Sequence, residues 1–554
     1  MVIVRPMDSK RRIGVLSLTT AVLAALLLIS CGGGGGSSSG GSAGSDPPPA
    51  APPASQSLTS DQVNAVVQAA VQAVNVPVVV GVTDRLGNIL AVFNTNNAPA
   101  TGVGNFGINQ NAQNLAVALA RTAAFFSNDQ APLSSRTVRY ISGIHFPPGV
   151  DGAPNAPLYG IENTNRGCSF NTTFLPGQTI PPATLINGTS PGLGIITGKA
   201  NVYDSDPTAV NPGGVPLFEN NTLVGGVGVV VSNPDPVAAG NIAEYAAYVA
   251  ATTAPFGPTP APPGVVVING IAVPFVDQTT APSGVTAGTF NGSYVVGPSA
   301  SPGPPPDGYL VGPLASAYPG GLSSSDVATI VSSAGATANQ TRAVIRLPIG
   351  SRAKMMIAVS DLDGNLLAVY RMSDATIFSI DVAVAKSRNV IYFSNGGTLP
   401  GAYAGSQPGA IDLPGIPQGT AVTNRTIGFG AQPEFPPGID GSGDGPFFNL
   451  YLNDTANSCT QGSQPKNPNQ NGIVFFPGSL PLYRNGVLVG GLGVSGDGVD
   501  QDDFVTAGGA ALMTVTDPSD SGHGFEAPTA IRADQVVIDN IRMPYIKFPR
   551  NPTQ

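Results

Sequence analysis

Tryptophan is absent from this 554-residue chain, histidine occurs twice and cysteine three times. A site that needs an imidazole therefore has only His145 and His523 to draw on. Charge is scarce as well: Asp, Glu, Lys and Arg make up 10% of residues, with 33 acids against 24 bases and a net charge of −9. No Lys/Arg cluster occurs beyond the first twelve residues. Phosphate binding needs a basic face, so nucleic acid is excluded as a partner. The patterns GxSxG, HExxH and CxxC and a phosphate-binding P-loop do not occur, which leaves hydrolase, zinc and nucleotide readings without support. No set of nucleophile, base and orienter is visible, so no catalytic residue is assigned and binding ranks ahead of catalysis.

What the chain has in quantity is Gly (71) and Pro (54), beside an apolar content of 42%. That combination reads as ordered units joined by long Gly/Pro-rich loops, and the length suits two or three domains. At the N-terminus, Lys10, Arg11 and Arg12 precede an apolar run from Ile13 to Ile29. This is the layout of an export signal, and the run is shorter than the roughly 20 residues a membrane span needs. It ends in Leu28-Ile29-Ser30-Cys31, which resembles the bacterial lipobox, whose cysteine is lipidated and becomes the mature N-terminus. A Gly/Ser tether from Gly32 to Ser45 and a Pro-rich spacer follow, a flexible then stiffer link that would hold a folded body off a bilayer. The expectation is a cell-envelope lipoprotein anchored to the membrane through Cys31, with Gly32 suiting outer-membrane sorting.

The remainder is a duplication. Residues 58–74 (LTSDQVNAVVQAAVQAV) place Val63, Val66, Val67, Ala70, Val71 and Val74 at helical spacing. A β-branched strand (Val76 to Thr83), a turn at Asp84 to Asn88 and a partner strand (Ile89 to Phe93) come next. A helix from Asn111 to Phe126, a hairpin from Pro216 to Ser232 and a closing helix from Asn241 to Ala250 complete the first copy. The second begins at Leu322 and gives strands at Met356 to Asp361 and Leu366 to Arg371, a helix at Ser379 to Phe393, a hairpin at Pro481 to Ser495 and a helix at Asp502 to Val515. The copies align without a gap around FPPG: 425 − 136, 435 − 146 and 440 − 151 all equal 289. The chain divides into an export signal (1–31), a tether (32–57), a first domain (58–250), a connector with a hairpin turning at Asn269-Gly270 (251–321), a second domain (322–515) and a C-terminal strap (516–554).

Cys168 and Cys459 lie at similar places in the copies, seventeen residues after Asp151 and nineteen after Asp440 (168 − 151, 459 − 440). Export would put them in an oxidising compartment. If the copies pack about a pseudo-two-fold axis, equivalent loops meet there, so a Cys168–Cys459 disulfide is expected.

Several blocks of the second copy resemble the GlcG/HbpS-like family of haem-binding or haem-degrading domains. They are Val359-Ser360-Asp361 with Gly364-Asn365, Arg371 to Ala375, Ser379 to Ala383 with Ala385 to Arg388, and Val489 to Gly496 with Asp500 to Asp503. The resemblance implies an α/β (α+β) fold of two tandem profilin-like domains, each an antiparallel sheet with packed helices, arranged as an intramolecular pseudo-dimer. Family members often form oligomers, and the implied cofactor is haem. The first copy departs from the pattern, with Asn94-Thr95 in place of Arg371-Met372 and Leu119 in place of Lys386, although Arg121 matches Arg388. Any site is therefore sought in the second domain. Arg371, Lys386 and Arg388 could hold a haem propionate or another small anionic ligand. Alternatively each pairs at the surface with Asp361, Asp374 or Asp381.

A haem iron would look to His145 or Met372, with Tyr370 and Tyr392 as further options. Asp440 to Gly445 resembles the start of a calcium loop, but Tyr451 stands where a Glu ligand is required, and no metal site is assigned. Asp497, Asp500, Asp502 and Asp503 read as charges at a helix start. The functional expectation is an envelope lipoprotein that binds haem or another small anion through its second domain. The alternative is a structural or interaction protein that keeps only the fold.

Overall fold

The computed structural model describes residues 57–188, 192–257, 266–394, 413–462, 468–511 and 524–553. Cys31 and His523 lie outside them. In chain order the first half comprises α1 (Ser60–Gln72), β1 (Val78–Asp84), β2 (Ile89–Asn94), β3 (Thr101–Val103), β4 (Asn109–Asn111), α2 (Ala112–Phe126), α3 (Ser135–Tyr140), β5 (Gly214–Glu219), β6 (Thr222–Val231) and α4 (Pro236–Thr252). The connector carries β7 (Val267–Ile268), β8 (Ile271–Ala272), β9 (Ser293–Val296) and β10 (Gly308–Val311). Then come α5 (Ser324–Gln340), β11 (Met356–Ser360), β12 (Leu366–Arg371), α6 (Phe378–Ser394), α7 (Asn424–Gly430), α8 (Phe448–Ala456), β13 (Ser479–Arg484), β14 (Val487–Ser495), α9 (Val499–Ala511), β15 (Val537–Ile538) and β16 (Ile541–Arg542).

Two five-stranded antiparallel sheets result, ordered β5-β6-β1-β2-β9 and β10-β12-β11-β14-β13. Read from the hairpin inward, the two orders coincide, and the connector supplies the outermost strand of both. Alternation along β1 decides which helix covers which face. Val78, Val80 and Val82 pack with α1 and α4, whereas Val79 packs with α2. In the second half α5 and α9 take one face and α6 the other. The Gly-Gly-x-Gly runs of the hairpins explain how close the central helices come. A Cβ on Gly228 would lie 2.0 Å from the Ala116 carbonyl oxygen, and one on Gly493 would lie 2.2 Å from that of Ala383. Only glycine lets a helix backbone rest directly on the sheet at these points.

The short helices α3 and α7 each begin with a capping box, Ser134 with Thr137 and Thr423 with Thr426. Each also anchors an extended strap: Thr137 Oγ1 donates to the Pro274 carbonyl at 2.6 Å and Thr426 Oγ1 to that of Pro544 at 2.7 Å. The connector hairpin β7-β8 and the C-terminal hairpin β15-β16 are thus the same device, one per half.

Residues separated by 289 meet each other. His145 faces Glu434, and the Glu162 carboxylate accepts from the Tyr451 hydroxyl at 2.8 Å. These contacts define a seam between the first and second halves. Along the same seam Cys168 and Cys459 are bonded with their Cα atoms 5.5 Å apart, and Phe126 stacks on Phe378 at 4.2 Å between centroids. No helix among the described residues is long and apolar enough to cross a membrane.

Candidate functional site

Helix α6 carries Lys386 and Arg388, and every residue along it is buried. The sheet covers one side, and the first half's long loop reaches the other: the Asn165 amide donates to Asp381 at 2.6 Å, and Arg388 donates to the Phe170 carbonyl at 2.5 Å. Surface pairing of Arg371, Lys386 and Arg388 with Asp361, Asp374 or Asp381 is therefore replaced by buried bonding to other groups. Arg371, at the end of β12, donates to the Ala375 carbonyl at 2.6 Å and pairs with Asp307 of the connector at 2.5 Å. Burial pulls its guanidinium down to about 10. Arg388 also donates to the Gly364 carbonyl and to Asn471, at 2.9 and 3.1 Å. Lys386 donates to the Val494 carbonyl at 2.8 Å and pairs with Asp502 at 3.0 Å. The three cations bond to different elements and form no common spot. Met372 is a core residue, its sulfur 3.4 Å from the Met355 amide. Tyr392 is fully buried, and Tyr370 packs edge-on against Tyr309.

Asp374, read as a surface partner, sits 17% exposed at a junction of the two halves. It accepts from Arg346 at 2.5 Å and also pairs with Arg85. The acids around α9 do more than favour a helix start. Asp497 pairs with Arg346, Asp500 and Asp503 both hold Arg425 at 2.6 Å, and Asp502 holds Lys386. The carboxylates of the 440–445 loop do not converge on one another as the calcium-loop resemblance would require: Asp440 turns to His145 at 3.0 Å and Asp444 accepts from the Tyr203 hydroxyl at 3.0 Å.

A cavity of about 750 Å³ lies on the seam between the halves. Ligand pockets of drug size run from about 300 to 1,000 Å³. Its apolar wall contains the stacked Phe126 and Phe378 with Phe429, Phe475 and Phe476, and Phe548 comes from the C-terminal strap. Five cations line it: Arg342, Arg346, Arg425, Lys547 and Arg550. Arg346, Arg425 and Lys547 are already matched by aspartates. Arg342 and Arg550 have no carboxylate within ion-pair distance among the described residues, and the Arg342 Nε is buried without a hydrogen-bond partner. Asp502 also lines this space. One of its oxygens takes the Lys386 bond while Oδ1 is buried with no partner. Burial raises its carboxyl to about 7, against the pull of Lys386, whose own ammonium burial lowers. Lys386 thus reaches the cavity only through Asp502. A second cavity of about 250 Å³ lies against the disulfide, walled by Phe125, Phe170, Phe174 and Ile380, with Asp381 at its edge. Arg388 braces that wall through the Phe170 carbonyl.

Sequence reasoning missed Arg342, Arg550 and Phe475, because no motif marks them and their convergence depends on packing of the two halves. His145 lies at neither cavity; it is buried in the FPPG corner of the first half.

Residues 322–511 match the model of the family described as "Haem degrading protein HbpS-like". Among solved structures, that of Klebsiella pneumoniae protein ORFY is 18% identical over 33% of this chain and 85% of its own, with a TM-score of 0.21. The PduOC:haem complex is 18% identical over 37% of this chain and 99% of its own, with a TM-score of 0.22. Among curated proteins none matches the chain.

Proposed function

We propose that the protein binds an amphipathic organic anion, haem or a smaller carboxylate, in the 750 Å³ cavity on the seam. The observation that carries this reading is the pairing of an aromatic wall with two cations, Arg342 and Arg550, that no aspartate or glutamate neutralises among the described residues. Arginine holds carboxylates through paired N–H donors, and a dry aromatic wall accepts a planar apolar body. The family match over the second half supports haem as a member of this class. The lining fits the propionates and the macrocycle. It does not fit axial ligation, since no His, Cys, Met or Tyr is among the lining residues. Haem would be held here by its edges and faces.

The wider reading is a lipid-anchored envelope protein made of two tandem copies of one domain, the first keeping the fold and the second supplying most of the cavity. Support for the anchor is the run from Lys10 to Cys31 and the tether behind it. Support for tandem copies is the shared strand order, the paired straps and the contacts at a spacing of 289. The bonding of Arg371, Lys386 and Arg388 into the core favours the alternative, a scaffold without a ligand.

Titration of haemin and of metal-free protoporphyrin into the detergent-solubilised chain separates these readings. Both are expected to bind with similar affinity, because the protein offers no iron ligand in the cavity, and Arg342→Ala should weaken both by about tenfold. No change in porphyrin absorbance at micromolar ligand would overturn the binding reading and leave the scaffold.

A further inference from the structure

The two FPPG corners face each other across the seam, and their His145, Glu434 and Asp440 do not line the cavity. His145 comes from the first, and Glu434 and Asp440 flank the second. Each of the three uses one polar atom to fix its orientation and directs the other at a common point. The His145 Nδ1 lies 2.6 Å from the Ser205 hydroxyl oxygen, which also accepts the Gly149 N–H. Asp440 accepts the Gly152 N–H on Oδ2 at 2.8 Å, and Glu434 accepts the Gly441 N–H on Oε1 at 3.0 Å. The remaining atoms converge: His145 Nε2 is 3.0 Å from Asp440 Oδ1 and 3.5 Å from Glu434 Oε2, and all three lie within 4.8 Å of one another.

Neighbouring ligands of one ion with bonds of about 2.1 Å sit roughly 3 Å apart, so the two distances from His145, 3.0 and 3.5 Å, suit a shared ion once the carboxylates draw together. The imidazole is 9% exposed and the carboxylates 25% and 31%, which leaves the outer coordination positions to water. One imidazole and two carboxylates, without a thiolate, select a borderline first-row divalent ion over Cu(I) or an iron–sulfur cluster. The Ser205 oxygen supplies the acceptor that a metal-bound imidazole needs for its other N–H.

We propose that His145, Glu434 and Asp440 bind one divalent first-row transition-metal ion, which ties the two halves together at the FPPG corners. The competing state is the same three side chains bonded only to one another, with no ion. The test uses the full-length chain without a polyhistidine tag, stripped with chelator and titrated with Co²⁺ by visible absorption and with Zn²⁺ by calorimetry. One ion per chain is expected, and Asp440→Asn and Ser205→Ala should each lower affinity by about tenfold to a hundredfold. His145→Gln should abolish uptake. Zn²⁺ should also raise the melting temperature of the unmutated chain and chelator should reverse this, a readout independent of how the variants fold. Uptake unchanged in His145→Gln, no uptake at about 1 mM Co²⁺, or a melting temperature indifferent to Zn²⁺ would each overturn the proposal.

Discussion

Lys199 and Glu162 form an ion pair at 2.8 Å with both side chains at 0% exposure. The Tyr451 hydroxyl, from the other half, donates to the same carboxylate oxygen at 2.8 Å, and the Lys199 ammonium lies 4.8 Å from the centre of the Tyr159 ring. At an effective dielectric constant of about 20, charges this close attract by about 6 kcal/mol. Removing each ion from water costs several kcal/mol, so the intact pair sits near break-even. Deleting one partner is different, because it strands a charge that has already lost its water. Lys199→Met leaves Glu162 with the Tyr451 hydroxyl alone, and its Oε2 has no hydrogen-bond partner even in the unmutated chain. The expected loss is about 3–5 kcal/mol. Adding Glu162→Met removes the stranded charge, and the double variant should recover all but the cost of an unsatisfied tyrosine hydroxyl, about 1–3 kcal/mol. Urea unfolding with the disulfide intact measures this without screening the charges, as guanidinium would. A single variant within about 1 kcal/mol of the parent, or a double variant less stable than Lys199→Met, would refute the argument.

The Cys168–Cys459 bond closes a separation of 291 residues, and chain entropy assigns a loop of that length about 5.7 kcal/mol of stabilisation. Replacing both cysteines by alanine should therefore shift the urea midpoint well below that of the oxidised parent. Gly493→Ala should cost about 1–3 kcal/mol or more, because the new methyl would meet the Ala383 carbonyl oxygen; circular dichroism of thermal melts would show it. Burial raises Asp454 to about 6 and Asp502 to about 7. A raised carboxyl binds its proton more tightly folded than unfolded, so its contribution is full below the unfolded value near 4 and is lost as pH climbs through 6 to 7. Urea midpoints should fall from pH 5 to pH 8, and Asp502→Asn should flatten the slope; a midpoint that rises over this range would contradict the assignment.

The strands of both sheets were legible because β-branched runs such as residues 78–82 carry their own signal, as does the Asn485-Gly486 hairpin. The edge strands were not. Ser293–Val296 and Gly308–Val311 are four residues each, set among glycine and proline, and they become strands only because β2 and β12 offer open edges. The fate of the charged residues was hidden for another reason. Lys386 and Arg388 look like surface cations until α6 is seen to be covered on both sides. Convergent sets such as His145 with Glu434 and Asp440 span up to 295 residues, so no local spacing could announce them.

The placement of β9 and β10 sets where the polypeptide tolerates a break. Each edge strand belongs to the sheet it completes, and 297–307, rich in proline and glycine, is all that separates them. A protease cut in that stretch would leave both sheets whole. A cut at residue 322, where the sequence reading begins the second domain, would strip β10 from its sheet and expose the backbone of β12 to aggregation. A chain nicked between 297 and 307 would also stay in one covalent piece through Cys168 and Cys459, migrating as one species until reduced and as two afterwards. The smallest separable halves of this protein are thus defined by strand ownership rather than by where the repeat begins.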